Sequence, residues 1–190
     1  ALVANNMLVC NDDGTASLMR TPLNVITASY TDVVYNSVKM TASSRNNLAA
    51  VSFGGGTLEN SRFMNNIVVA LDDNNYALNY SPGAATTNTV GYNVYYSLGT
   101  LLNRRAGTGC TDLAAWLLAE PGDTNSIVAN PNFLNGSLVN LRTYNRMVKG
   151  VGMPMATVPT DMFDSVRSTT ATCPGAFEFV SLGYDFEPEA

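Results

Sequence analysis

The chain has 190 residues, 46% of them hydrophobic and only 13% charged, with a formal net charge of −5. That is enough for one domain with its own core, and ten Lys and Arg scattered singly leave no basic stripe for nucleic acid. No apolar run approaches the roughly 20 residues of a membrane helix, and no His with only three Cys excludes a structural zinc site and imidazole catalysis.

The first predicted elements repeat. Asn5-Asn6-Met7-Leu8-Val9-Cys10, Tyr35-Asn36-Ser37-Val38-Lys39-Met40 and Asn65-Asn66-Ile67-Val68-Val69-Ala70 align on the second residue of each (36 − 6 = 30, 66 − 36 = 30). Tyr92-Asn93-Val94-Tyr95-Tyr96 follows after 93 − 66 = 27. A strand with Asn at its entrance, recurring at a near-constant step, predicts a coil stacked on itself. Alternate residues of a strand share a face. One face reads Asn6, Leu8, Cys10, then Asn36, Val38, Met40, then Asn66, Val68, Ala70. The other contains Lys39, whose ammonium is costly to bury, so it is expected in solvent and the Asn face inside. Asn6, Asn36, Asn66 and Asn93 then stack as an inward ladder of amides at about 4.8 Å per turn.

A step near 30 leaves room for two or three strands per turn. Further strands are predicted around Leu23–Thr27, Ala49–Phe53 and Tyr76–Tyr80, separated by Asp12-Asp13-Gly14, Gly54-Gly55-Gly56 and Ser81-Pro82-Gly83. A β-sandwich also offers short strands, but it requires no Asn at one place in each period. Residues 1–97 therefore read as coil turns and 98–190 as a final turn with a C-terminal cap. In that second part Thr111–Glu120 is helical in pattern, with Thr111 as N-cap, Pro121-Gly122 as stop and Trp116 as a packing anchor. The fold class is all-β, a right-handed parallel β-helix with one short α-helix in its cap. The cap is expected to cover the unpaired edge of the last turn. Ala1–Cys10 lacks the basic n-region of a signal peptide and enters directly into a repeat. Further turns, an upstream domain or a partner subunit are therefore expected to cover the N-terminal end.

Candidate chemistry lies on the turns. Asp12, Asp13, Asp72 and Asp73 sit two periods apart, about 10 Å along such a coil, and form a candidate Ca²⁺ or sugar site. The competing reading is solvated turns, and apart from possible Ca²⁺ no cofactor is indicated. Asp32 and Arg62, one period apart, stack as a surface ion pair that Arg45 and Glu59 could extend. The catalytic candidates are Arg62, Asp32 and Lys39: Arg62, with Asp32 as its ion-pair partner, would neutralise a uronate carboxylate, and Lys39 would act as a base. A hydrolase would instead need two carboxyl groups roughly 5–10 Å apart. Tyr76, Tyr80 and Tyr96 are candidates for stacking on sugar rings, against a packing role. By parity Tyr95 points inward and Tyr96 outward. Cys110 and Cys173 are a possible disulfide, with buried thiols as the alternative. Asn135-Gly136-Ser137 is a glycosylation sequon of little weight.

The second half resembles a known family. Asn93-Val94-Tyr95-Tyr96-Ser97, the Leu113 and Trp116 pair, Asn125-Ser126-Ile127 and Asn130-Pro131-Asn132-Phe133 are followed by Leu138–Arg142 running on to Lys149-Gly150-Val151-Gly152. The series ends with Thr160-Asp161 through Arg167 and Pro174-Gly175-Ala176-Phe177-Glu178-Phe179. In that order these are similar to the closing segments of bacterial right-handed parallel β-helix proteins of the pectate-lyase-like superfamily. The resemblance implies a secreted or cell-surface protein. It covers polysaccharide-degrading enzymes and proteins without known activity alike. The expectation is a non-catalytic scaffold for adhesion or glycan contact. A polysaccharide lyase or glycoside hydrolase with catalytic turns partly outside this chain is the alternative, and a subunit of an extracellular assembly is a third.

Overall fold

The computed structural model describes residues 1–10, 21–41, 47–83, 87–134 and 140–179. It is a parallel β-solenoid of about four turns. The first turn holds β1 (Leu2–Ala4), β2 (Met7–Cys10), β3 (Leu23–Val25) and β4 (Ala28–Ser29). The second holds β5 (Asp32–Val34), β6 (Ser37–Met40), β7 (Ala49–Gly54) and β8 (Leu58–Glu59). The third holds β9 (Arg62–Met64), β10 (Ile67–Ala70) and β11 (Tyr76–Ser81). The fourth holds β12 (Thr89–Gly91), β13 (Val94–Ser97) and β14 (Asn103–Arg105), after which come β15 (Thr108–Cys110), α1 (Leu113–Ala119) and β16 (Ile127–Val128). Three long sheets result: sheet A in the order β1-β5-β9-β12, sheet B in the order β2-β6-β10-β13-β16, and sheet C in the order β3-β7-β11-β14-β15. Every pairing within them is parallel except β14 with β15.

The corner between sheets A and B explains the repeat. Asn5, Tyr35, Asn65 and Tyr92 adopt φ of 58°, 55°, 56° and 56°, the left-handed conformation that Asn tolerates better than most residues. The chain turns sharply there, and the next residue, always Asn, points inward. Asn36 Oδ1 accepts from the Asn6 amide at 2.9 Å, Asn66 Oδ1 from Asn36 at 3.0 Å and Asn93 Oδ1 from Asn66 at 3.2 Å. Each Oδ1 also accepts the backbone N–H of the Asn one turn earlier. The corner, which interrupts strand pairing, thus keeps its buried donors satisfied. The ladder is as the sequence predicts.

Parity also holds. Val33 and Phe63 from sheet A, Val38, Val68 and Tyr95 from sheet B, and Val51, Phe53, Leu78 and Tyr80 from sheet C fill one interior. Phe53 packs on Phe63 and Tyr80 with ring centroids 5.3 and 5.9 Å apart. At the far end β15 folds back on β14 and α1 lies across the opening, where Trp116 is fully buried edge-on to Tyr95. The N-cap of α1 is Asp112, one residue later than expected. Its carboxylate accepts from Ala115 N at 2.8 Å, while Thr111 donates to Asp112.

Beyond α1 the structure departs from expectation. The described residues from Ala129 to Phe179 do not cap the open edge of the last turn. They run outside the coil along sheet B and its corner with sheet A. Ile67, Val69 and Val94 on the outer face of sheet B pack against Ala129, Val148, Cys173 and Phe179. At the first turn Met7 packs against Leu141 and Ala176. Lys39 is the corrected residue: it points outward from the coil as parity requires, yet it is only 8% exposed, and burial lowers its pKa. Gly175 shows how close the approach is. Its φ is +84°, and a Cβ there would lie 2.7 Å from Ser37 Oγ and 2.8 Å from Ile67 Cδ1.

Candidate functional site

Among the described residues, the tail covers sheet B and part of sheet A, and leaves a column on the outer face of sheet C open. Asn24 pairs in register with Ser52, Ser52 with Asn79, and Asn79 with Arg104. In β7 and β11 these residues sit between buried neighbours: Val51 and Phe53 flank Ser52, and Leu78 and Tyr80 flank Asn79. Alternation of buried and half-exposed residues turns the four polar side chains outward. They form a line of hydrogen-bonding groups, one every ~4.8 Å.

Arg104 gives the column its charge. Its guanidinium lies 5.7 Å from the Tyr76 ring centroid and Nη2 donates to the Gly107 carbonyl at 2.7 Å. Its Nε is buried without a hydrogen-bond partner among the described residues. The neighbouring Arg105 is instead paired with Glu120 at 2.7 Å. Near the last turn a shallow groove of about 250 Å³ is lined by Ser97, Gly99, Leu102, Thr111, Asp112, Leu113 and Val128. Amides, a hydroxyl and a guanidinium on a fixed sheet can bind neutral or anionic hydroxyl-rich chains.

The other candidates lie elsewhere. Asp32 and Arg62 do meet, in register on β5 and β9. Arg62 Nε donates to Asp32 Oδ1 at 2.6 Å and Nη2 to Oδ2 at 2.5 Å. The hydrogen bond from Arg62 lowers the Asp32 pKa, and the same bond raises that of Arg62. The guanidinium is thus engaged by a carboxylate of its own chain. The pair is exposed enough to be worth at most about 1 kcal/mol. Tyr80 is a core residue, not a sugar platform: it is 3% exposed, and burial pushes its pKa up to about 12. Tyr76 is 4% exposed beneath Arg104, and Tyr96 is half-buried against the tail. Asp72 accepts from Asn74 N at 2.8 Å within its own turn, next to an exposed Asp73. Asp12, Asp13, Arg45 and Asn135–Ser137 lie outside the described residues. Among the described residues no three His, Cys, Asp or Glu side chains come together as a metal site. Cys110 and Cys173 are free thiols, which corrects the disulfide. Cys110 faces the coil interior and Cys173 packs on the outer face of sheet B, so a sheet separates them. Burial raises both pKa values.

Two buried polar centres escaped the reading of the sequence. At the closed end, Asp123 is fully buried and its Oδ2 accepts from Trp116 Nε1 at 2.6 Å and from the Tyr95 hydroxyl at 3.0 Å. Ser126 donates to Asp123 Oδ1 and accepts the Asn93 N–H at 2.8 Å. This centre therefore terminates the Asn ladder. Desolvation pushes the Asp123 pKa up to about 6, against the hydrogen bonds from Ser126, Trp116 and Tyr95. On the outside, Arg167 fixes the tail. It stacks 3.9 Å from the Tyr35 ring centroid, donates to Asn5 Oδ1 at 2.8 Å and to Gly175 O at 2.9 Å, and pairs with Glu178 at 3.2 Å. Glu178 also accepts from Thr172 Oγ1 and Cys173 N, and its own N–H donates to Asp161. Asn65 adds a reciprocal pair with the backbone of Met153 at 2.8 Å. The signal was in the repeats: both residues of each Asn-Asn or Tyr-Asn pair recur, and the first of each pair faces the tail.

Among the described residues no helix is long and apolar enough to cross a membrane. Comparison with protein families, with curated proteins and with solved structures finds no match.

Proposed function

We propose that this chain is a non-catalytic β-helix scaffold of a secreted or cell-surface bacterial protein of pectate-lyase-like architecture, and that the outer face of sheet C contacts a glycan. The carrying observation is the in-register column Asn24–Ser52–Asn79–Arg104 on a face that the described residues of the tail leave open. A rigid parallel sheet holds these groups at fixed spacing, so little ordering entropy is lost when a repeating polymer lies along them. Affinity electrophoresis through gels containing neutral or acidic polysaccharides tests this. Retardation should fall roughly tenfold in Asn79→Ala and Arg104→Ala, with unchanged circular dichroism. Migration that no polysaccharide retards, or that both variants retain in full, would remove the proposal.

The second reading is a polysaccharide lyase, favoured by Arg104, a guanidinium without a carboxylate partner among the described residues of that open face. Such a cation can neutralise a uronate carboxylate before proton abstraction. Ultraviolet absorbance from unsaturated product on alginate and pectin separates the two: product formation that Arg104→Ala abolishes overturns the scaffold.

A further inference from the structure

On the face of sheet C that the described residues leave open, the relief is as regular as the spacing. Along the coil axis the outward residues read Asn24, Ser52, Asn79 and Arg104. Long and short side chains alternate, because Ser52 stands between two amides. Arg104 does not stand up at the fourth step: its guanidinium is drawn down over the Tyr76 ring and onto the Gly107 carbonyl. A low lane runs beside the column. Gly54 and Ser81 lie two residues beyond Ser52 and Asn79 and pair in register. Gly54 has a φ of +100°, and a Cβ there would collide with the Ser81 carbonyl, so no side chain can rise at that point. Three of the four groups in the column are uncharged, and the chain as a whole carries −5.

We infer that this face takes a neutral, straight polysaccharide strand of the β-1,4-linked type, laid parallel to the coil axis with one sugar residue per turn. The inference rests on the glycan reading and names its ligand class. In a chain with both linkages equatorial, each residue advances by about one ring length, close to the ~4.8 Å strand spacing. Successive residues are turned over, so the bulky hydroxymethyl group falls on alternate edges. The short Ser52 leaves room for it, while Asn24 and Asn79 on either side meet the hydroxyl edges of their own residues. Four steps hold four residues, ~14 Å from first to last. An α-1,4-linked chain bends at every axial linkage and leaves a straight column. A polyuronate brings one carboxylate per residue to a column with one cation, on a chain whose net charge of −5 repels it.

The probes are glucose oligomers of two to six residues, β-1,4-linked or α-1,4-linked, and an α-1,4-linked galacturonate tetramer. Each is titrated into the isotope-labelled intact protein and followed by amide shifts in nuclear magnetic resonance. Affinity in the β-1,4 series should rise roughly three- to tenfold with each residue up to four and level beyond. The shifts should centre on Asn24, Ser52, Asn79 and Arg104. Both α-1,4 tetramers should bind at least about tenfold more weakly than the β-1,4 tetramer. Asn24→Ala should lower the β-1,4 tetramer to the affinity of the trimer and leave the trimer unchanged, whereas Asn79→Ala should weaken both. No saturable binding of the β-1,4 tetramer overturns the inference. So do equal affinity for straight and bent tetramers, a preference for the uronate, or affinity without a break at four residues. The gels separate this failure from that of the broader reading: if polysaccharides are still retarded, only the ligand class is wrong, and if none is retarded, both fall.

Discussion

Replacing Asn66 by Ala tests the ladder quantitatively. Asn66 is 1% exposed. Its Oδ1 holds the Asn36 N–H at 2.9 Å and the Asn36 amide at 3.0 Å, and its Nδ2 serves Val33 O at 2.9 Å and Asn93 Oδ1 at 3.2 Å. Truncation leaves the Asn36 N–H buried without an acceptor, which costs roughly 1–3 kcal/mol by itself. Each of the other lost bonds adds about 1 kcal/mol where no water can enter. The sum is roughly 4–6 kcal/mol. Asn6→Ala is the internal control: Asn6 is half-exposed and no donor to its Oδ1 is lost, so about 1 kcal/mol is expected. Urea unfolding followed by far-ultraviolet circular dichroism and by the single Trp116 reports the coil and its closed end separately. A cost below about 1 kcal/mol for Asn66→Ala, or equal costs for the two variants, would refute the view that the ladder carries the corner's buried donors.

The tail should depend on one guanidinium. Arg167→Ala leaves Glu178 buried and uncompensated, at a cost of roughly 3–5 kcal/mol, and should make residues 140–179 the first segment cut in limited proteolysis. Gly175→Ala meets Ser37 and Ile67 in a left-handed conformation and should cost roughly 2–4 kcal/mol in urea unfolding. Asp123 predicts a pH dependence. Its folded pKa of about 6 lies above the ordinary 3.8. Its contribution, roughly 3 kcal/mol, is therefore complete below pH 3.8 and lost as pH rises through about 6. In a denaturation series across that range, wild type minus Asp123→Asn should show this fall. The thiols of Cys110 and Cys173 should react with a thiol reagent only on unfolding, and a non-reducing gel should show no crosslink between them.

The coil itself was legible because its determinants are local and periodic. Asn at the ladder position, a strand-length apolar alternation after it and a turn before it recur every 27–30 residues, and each instance supports the next. The pairing of Asp32 with Arg62 followed from the same period, since stacked turns place residues one step apart side by side. Lys39 marks where this logic ends. Parity fixes the direction in which it points, but whether water waits there depends on the described part of the tail, more than 80 positions away in the chain. The same long-range fold decided that Cys110 and Cys173 lie on opposite sides of a sheet, and that Asp161, Arg167 and Glu178 meet in one buried network. It also decided that the exposed line of side chains runs through Asn24, Ser52, Asn79 and Arg104 and not through the tyrosines. Stacking energy is shared between neighbouring turns and so is written into the period. The path of an irregular tail is set by the sum of many dissimilar contacts at large separation, for which no single spacing exists.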